Sequence, residues 1–423
     1  MTQPFKDRAV IIGLQMNGQE DFEHSMEELG NLANACDIEV AAVLTQKAER
    51  IHPAHYIGSG KIEELSDLLK MLETTIVIFN DELSPSQVRN LEKRLEAAVL
   101  DRTTLILNIF AERARSRESQ LQVELARLQY VLPRLSGISS SSGRQRGGVG
   151  TKNRGSGETK LELSQRRIEE KITELNRELE LLVSQRQTQR RRRQKTEMPV
   201  VSLVGYTNTG KSSLMNAMLD KYDAASEKAV LAKDMLFATL QTSVRQISLP
   251  DRKRFLLTDT VGFVSKLPHH LVKAFRSTLE EVLESDLLLH VVDASNSDAE
   301  QLIEVTNQTL KDLGADKIPV VYVYNKIDLS SELMKEIQVR KPAVFVSAKT
   351  GQGLDQLEDA IKEQLFGHYE RVALNIPYDQ GHLLSYFHEH ANVETVLYEE
   401  DGTKLTIEAS PVEVKKWSHL QVE

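Results

Sequence analysis

Cysteine is almost missing from this chain: Cys36 is the only one in 423 residues. An intrachain disulfide and a cysteine-built zinc site are therefore excluded. Long apolar runs are missing too. No stretch of about 18 uncharged apolar residues occurs, so no membrane span is expected. The opening residues, MTQPFKDRAVIIGLQ, lack the basic-then-apolar layout of a secretory signal. Positive charge is in overall deficit, with 53 Lys and Arg against 62 Asp and Glu and a net charge of -9. That balance argues against coating nucleic acid along the whole surface. A local basic patch stays open, because the field near a site is set by its own neighbours. The default compartment is the cytoplasm, and the default state a monomer.

What is present is an ordinary globular composition, 40% hydrophobic and 27% charged, in a chain too long for one core. The fold class expected is α/β. In the first 111 residues, short apolar runs at 9–14, 38–44, 74–79 and 97–101 read as strands. Helical patterns fill 20–35, 60–72 and 84–96, the last begun by Ser84-Pro85-Ser86. This alternation predicts a parallel α/β domain over 1–111. No glycine-rich phosphate loop follows its first strand, so no motif supports a nucleotide there.

Residues 112–196 change character. Leu121, Leu125, Leu128, Leu132 and Leu135 step by four and three, as do Ile168, Ile172, Leu175, Leu179 and Leu182. Two narrow apolar stripes predict an antiparallel helical hairpin. Pro133 is expected to end or kink its first helix. Between the stripes, 136–160 holds seven glycines and the cations Arg144, Arg146, Lys152, Arg154 and Lys160 against Glu158 alone. A flexible cationic tip suits a polyanion, although composition alone allows an ordinary surface loop equally. A further basic run, 186–195, closes the second helix.

A second α/β pattern occupies 197–367, and it carries the chemistry. The strand PVVSLV leads into Gly205-Tyr206-Thr207-Asn208-Thr209-Gly210-Lys211-Ser212-Ser213, a complete phosphate loop. Glycines at those places let main-chain N–H groups close around phosphates at a helix N-terminus. Lys211 is placed for the β- and γ-phosphates and the Ser212 hydroxyl for Mg²⁺. Asp259-Thr260-Val261-Gly262 ends the next strand, where the aspartate serves the Mg²⁺ shell and the glycine N–H the γ-phosphate. Asn325-Lys326-Ile327-Asp328 follows a third strand. A carboxylate at Asp328 matches N1–H and the N2 amino group of guanine; adenine would leave it unpaired, which is costly. Ser347-Ala348-Lys349 after a fourth strand offers main-chain N–H groups to guanine O6. Singly weak, the later motifs gain force from their order.

Hydrolysis calls for a switch threonine, a placed water and a positive charge. Thr239 in LFATL is the expected second Mg²⁺ oxygen, with Thr242 its competitor. Lys211, Thr239 and Gly262 are the residues expected to act on the reacting phosphate. The position after Gly262 is Phe263, which cannot orient water, so slow unaided turnover is expected. Asn208 can help seat K⁺ beside the phosphates, or can simply fit a tight turn. His269 and His270 read as surface residues rather than a general base. The remainder, 368–423, has an Asp401-Gly402 hairpin signal between two strand patterns and reads as a small α+β domain with Tyr386 and Trp417 in its core.

These motifs, with YIGSGKIEEL (56–65), 85–135, RGSGETKLELSQRRI (154–168), LFATL (236–240) and DTVGFVSKLPHHLVKAFRSTLEE (259–281), make the chain resemble the HflX family of translational GTPases. The likeness spans nearly all of 8–370. It implies binding of GTP and GDP with Mg²⁺, and GTP-dependent binding of the large ribosomal subunit. It further implies splitting of ribosomes under stress, or, as the alternative, switched ribosome binding without splitting. It also assigns Arg144, Arg146, Lys152 and Arg154 to ribosomal RNA near the peptidyl-transferase region, in keeping with a flexible cationic tip. Two positions depart from the family pattern: Gln241-Thr242 follows LFATL, and the tip reads TKNRGSGETK.

Overall fold

The computed structural model describes residues 7–18, 21–142, 160–194, 198–222, 237, 242–266, 281–329 and 339–422. They form two compact units. One comprises Met1–Arg190, Asp234–Gln241 and Val264–Ser277; the other comprises Arg191–Lys233, Thr242–Phe263 and Thr278–Glu423.

In the first unit, β1 (Asp7–Met16), β2 (Ile38–Ala48), β3 (Ile76–Phe79) and β4 (Ala98–Asp101) make the expected parallel sheet, in the order β2-β1-β3-β4. Helices α1 (Phe22–Ala35), α2 (Ser59–Met71) and α3 (Pro85–Leu95) alternate with them. Sequence signals explain the edges. Ser84 and Gln87 form a reciprocal capping box on α3, with Pro85 in its first turn. Val10, Ile12, Leu65, Val77, Phe79 and Leu91 fill the core. One helix has no counterpart in the strand-helix pattern: α4 (Arg102–Arg113) leaves β4 at once, capped by Asp101, which accepts from the Thr104 N–H at 2.9 Å. Its run TTLILNIF is buried at Leu105, Ile106, Leu107, Ile109 and Phe110, so it shows no clean polar face to announce a helix.

The hairpin forms from α5 (Arg117–Ser142) and α6 (Lys160–Gln194). Leu121, Leu125 and Leu175 bury its seam, with Leu128, Ile172, Leu179 and Leu182 beside them, and Arg117 grips Glu178 through two bonds of 2.8 and 2.9 Å. Pro133 does not end α5, which runs on to Ser142 and takes the serine run of the expected loop into the helix. The lost main-chain bond is offset next door: the buried Tyr130 hydroxyl donates to Asp101, and Arg134 reaches the same carboxylate at 2.8 Å.

In the second unit, β5 (Val200–Val204), β6 (Ser243–Ser248), β7 (Arg254–Asp259), β8 (Leu287–Asp293), β9 (Val320–Asn325) and β10 (Ala343–Phe345) run in the order β10-β9-β8-β5-β7-β6. All pairs are parallel except β6 with β7. The edge strand β6, SVRQIS, was too polar to read as a strand. Helices α7 (Lys211–Tyr222), α8 (Ala299–Leu313) and α9 (Leu354–Phe366) accompany the sheet. The C-terminal portion is an antiparallel sheet of β11 (Glu370–Ile376), β12 (Asn392–Glu399), β13 (Gly402–Ala409) and β14 (Gln421–Val422), ordered β12-β13-β11-β14. Helices α10 (Gly381–His390) and α11 (Pro411–Lys416) complete it, and Glu399 faces Gly402 across the expected turn. Tyr386 and Trp417 pack onto this core half-buried, not inside it, with ring centroids 5.9 Å apart. No helix among the described residues is long and apolar enough to cross a membrane.

Within the second unit's sheet, His290 on β8 is 1% exposed, its ring 5.1 Å from that of Tyr322. Burial, with smaller contributions from the Lys211 and Arg340 charges, lowers its pKa to about 3. A depressed histidine is neutral in the folded chain while the unfolded chain protonates near 6.5, so stability is full above that pH. It is lost on acidification toward the folded value, at about 1.4 kcal/mol per pH unit. Denaturation midpoints of the native chain should fall more steeply between pH 6.5 and 4 than those of His290→Gln. Parallel slopes would refute this.

Candidate nucleotide-binding site

The site grows from the carboxyl ends of neighbouring strands, where open parallel sheets place ligands. β5 ends at Val204, and the loop 205–210 turns the chain into α7, whose first residues are Lys211 and Ser212. Gly205 has φ 143 and a Cβ there would collide with the Val291 carbonyl oxygen of β8; Gly210 has φ 91 and a Cβ there would collide with Asn325 Nδ2. Glycine is required at both places. Asn208, at φ 62, is exposed, and asparagine is among the few side chains that tolerate this conformation. Thr207 and Thr209 are buried, and Thr209 Oγ1 donates to the Tyr206 carbonyl at 3.1 Å.

Inside the loop lies the Lys211 ammonium, 6% exposed, donating to the carbonyls of Gly205 at 3.1 Å and Tyr206 at 2.5 Å. Burial lowers its pKa to about 8, with Asp259 opposing. A poorly solvated cation ringed by a helix N-terminus is a strong attractor for phosphate. The Ser212 hydroxyl donates to Asp259 Oδ2 at 2.5 Å, so the two oxygens named from sequence meet. Hard oxygens of this kind, one of them anionic, fit Mg²⁺. Thr239 lies outside the described residues. Thr242 precedes Ser243, which pairs with Asp259, and its Oγ1 is buried with no hydrogen-bond partner among the described residues.

Gly262 and Phe263 lie against the same loop. The Phe263 N–H donates to the Gly205 carbonyl at 3.1 Å, and the Thr207 N–H donates to the Phe263 carbonyl at 2.8 Å. A Cβ on Gly262 would stand 2.8 Å from Thr207 Cα and 3.0 Å from Lys211 Nζ.

The residues expected from the sequence to read the base converge from β9 and β10. Asn325, 1% exposed, donates through Nδ2 to the Thr209 carbonyl at 2.9 Å and accepts through Oδ1 from the Ala348 N–H at 2.9 Å. It therefore joins phosphate loop to base loop. The Ser347 hydroxyl donates to Asp328 Oδ1 at 2.6 Å and accepts from the Thr350 N–H, which fixes an exposed carboxylate in place. Lys326, at φ 65, pairs with Asp293 at the end of β8 at 2.6 Å. Ser213 and Lys349 are exposed at the rim. Asp293 and the joining role of Asn325 escaped sequence reasoning. Asp293 ends an apolar strand in no motif, and its pairing with Lys326 depends on β8 and β9 being neighbours. Arg144, Arg146, Lys152, Arg154, His269 and His270 lie outside the described residues.

Comparison with known proteins agrees with this geometry. Residues 200–326 match a family model described as "50S ribosome-binding GTPase", 23–111 one described as "GTP-binding GTPase N-terminal", 113–193 one described as "GTP-binding GTPase Middle Region", and 332–417 one described as "HflX C-terminal domain". The chain is 45% identical over 405 residues to the GTPase HflX of Caldanaerobacter subterraneus subsp. tengcongensis, covering 96% of this chain and 91% of that protein. It is 39% identical over 401 residues to the GTPase HflX of Escherichia coli K12, covering 94% and 92%. Among solved structures, a GTP-binding protein from Sulfolobus solfataricus in complex with GDP is similar, at 25% identity, 85% and 98% coverage and a TM-score of 0.42. A chain matched at this identity across nine-tenths of its own and its relatives' length, with the nucleotide motifs assembled in one pocket, belongs to the HflX family of GTPases.

Proposed function

We propose that this protein hydrolyses GTP and that its GTP-bound form holds the large ribosomal subunit and splits ribosomes, in the cytoplasm, as a monomer, and chiefly under stress. The observation that carries the reading is the joined pocket, in which one buried side chain, Asn325, bonds to both the phosphate loop and the base loop. The description "50S ribosome-binding GTPase" over 200–326 supports the ribosomal partner, and the cationic composition of 136–160 supports contact with RNA.

In this reading Asp328 accepts from the N1 and N2 edge of guanine while Ser347 and Ala348 frame O6. Main-chain N–H groups of 208–212 and the Lys211 ammonium surround the phosphates. Ser212 and Asp259, with Thr239 of the first switch, hold Mg²⁺, which when bound supplies charge stabilisation to the β- and γ-phosphate oxygens. Gly262 gives its N–H to the γ-phosphate. Phe263, 3% exposed, cannot position water, so turnover relies on help from outside the chain. Asn208 seats K⁺ beside the phosphates. Arg144, Arg146, Lys152 and Arg154 meet ribosomal RNA.

Asp328→Ala should cost about 2–4 kcal/mol of guanine preference, since the lost bonds are to a site built around them; competition between GDP and ADP for the purified protein measures it, and an unaltered preference overturns the base assignment. GTP turnover should be several-fold faster in potassium than in sodium, and equal rates remove the role given to Asn208. With a non-hydrolysable GTP analogue the protein should pellet with ribosomes and deplete the 70S peak of a sucrose gradient. Co-migration without depletion means binding only, and unchanged behaviour after deleting 138–158 removes the RNA role of the tip.

A further inference from the structure

The phosphate loop carries one side chain whose polar group has no work in the fold. Thr207, third in the loop 205–210, is 6% exposed. Its Oγ1 is buried and has no hydrogen-bond partner among the described residues. The loop's other aliphatic hydroxyl groups differ: Thr209 donates to the Tyr206 carbonyl at 3.1 Å, and Ser212, at the start of α7, donates to Asp259 at 2.5 Å. A buried hydroxyl without a partner lowers stability, because water has been given up and nothing replaces it. Valine has nearly the same shape and would avoid that loss. A local choice that works against folding is expected where a residue serves a ligand.

The main chain around Thr207 is already committed. Its N–H donates to the Phe263 carbonyl at 2.8 Å, the Phe263 N–H donates to the Gly205 carbonyl at 3.1 Å, and Tyr206 forms a parallel bridge with Phe263. A phosphate therefore takes nothing from the N–H of 207, and the hydroxyl is the donor that this residue has left. The same bonds fix where the side chain stands. A Cβ on Gly262 would lie 2.8 Å from Thr207 Cα, 2.9 Å from Thr207 Cγ2 and 3.0 Å from Lys211 Nζ. Thr207, the Lys211 ammonium and Gly262 thus meet at one point, and the last two are the groups assigned to the γ-phosphate. Turning χ1 of a threonine by about 120° exchanges its methyl and hydroxyl groups. Oγ1 can in this way take the position that Cγ2 holds beside Gly262.

We propose that Thr207 is a catalytic residue whose hydroxyl donates to a γ-phosphate oxygen and stabilises the charge on that group during hydrolysis. In this step a water oxygen bonds to the γ-phosphorus while the bond from that phosphorus to the β,γ-bridging oxygen breaks. The electron pair leaves with GDP, and both water hydrogens stay on the phosphate released. Thr207 keeps its own hydrogen throughout. A donor fixed beside the reacting group in a site closed to water acts strongly on a transition state, and the apolar Phe263 supplies none. GDP has no γ-phosphate, so the hydroxyl finds its partner in the triphosphate alone. The proposal rests on the GTPase reading above and adds to it a side chain that touches the transferred group.

The test uses the full chain and two variants, Thr207→Val, which removes the hydroxyl and keeps the shape, and Thr207→Ser, which keeps the hydroxyl. Single-turnover GTP hydrolysis with Mg²⁺, affinity for GDP and the melting temperature of the nucleotide-free chain are compared. Thr207→Val should hydrolyse GTP more slowly by about ten-fold or more, bind GDP as the native chain does, and melt at a higher temperature, since the unpaired group is gone. Thr207→Ser should retain native turnover. A hydroxyl that merely braced the loop would move the melting temperature of Thr207→Val downward instead. That outcome overturns the assignment, as do native turnover in Thr207→Val, a loss of GDP affinity in step with turnover, or a Thr207→Ser variant as slow as Thr207→Val. A native chain that binds GDP and leaves GTP unhydrolysed overturns instead the GTPase reading beneath it.

Discussion

One amide side chain holds the nucleotide site in register. Asn325 is almost fully buried, so both its donor and its acceptor must be met inside the protein. It gives its proton to the Thr209 carbonyl and takes one from the Ala348 N–H. Those partners belong to loops that follow different strands, separated by 116 and 23 residues from Asn325. That amide ties the phosphate loop to the loop that follows β10. With it, the distance between them is set by the sheet. The collision a Cβ at Gly210 would make with the same amide shows how tightly the arrangement is drawn.

From this constraint the remaining geometry follows. β5, β8 and β9 lie side by side, so Lys211, Asp293 and Asn325 come from adjacent strand ends. Desolvation of Lys211 and the nearness of Asp259 act against each other: burial in the loop lowers the pKa of the amine, and the carboxylate raises it.

Much of this was legible in the sequence, for physical reasons that differ by element. Central strands such as β1, β5 and β8 announced themselves because strands buried on both faces are continuous apolar runs; α3 announced itself by its cap. The turn of the loop 205–210 was legible because its conformation at 205 and 210 requires glycine. The strand β6 was hidden because an edge strand with one solvated face can be polar. α4 was hidden because a helix buried nearly all round has no amphipathic period. Pro133, expected to end or kink its helix, does not end it, and Tyr130 and Arg134 beside it are bound to one carboxylate. Least legible was Arg102. A single arginine after a strand says nothing about Ser265, which lies 163 residues further along, and only the folded chain brings them together.

The division into compact units has its own consequence. Motifs assign the nucleotide site to one continuous stretch, 197–367, whereas packing returns Asp234–Gln241 and Val264–Ser277 to the unit that contains the N-terminal sheet. The chain is thus interleaved rather than strung as beads. A nucleotide cassette cut out along its sequence borders would carry its phosphate loop intact but part Ser265 from Arg102 and Phe237 from Phe110.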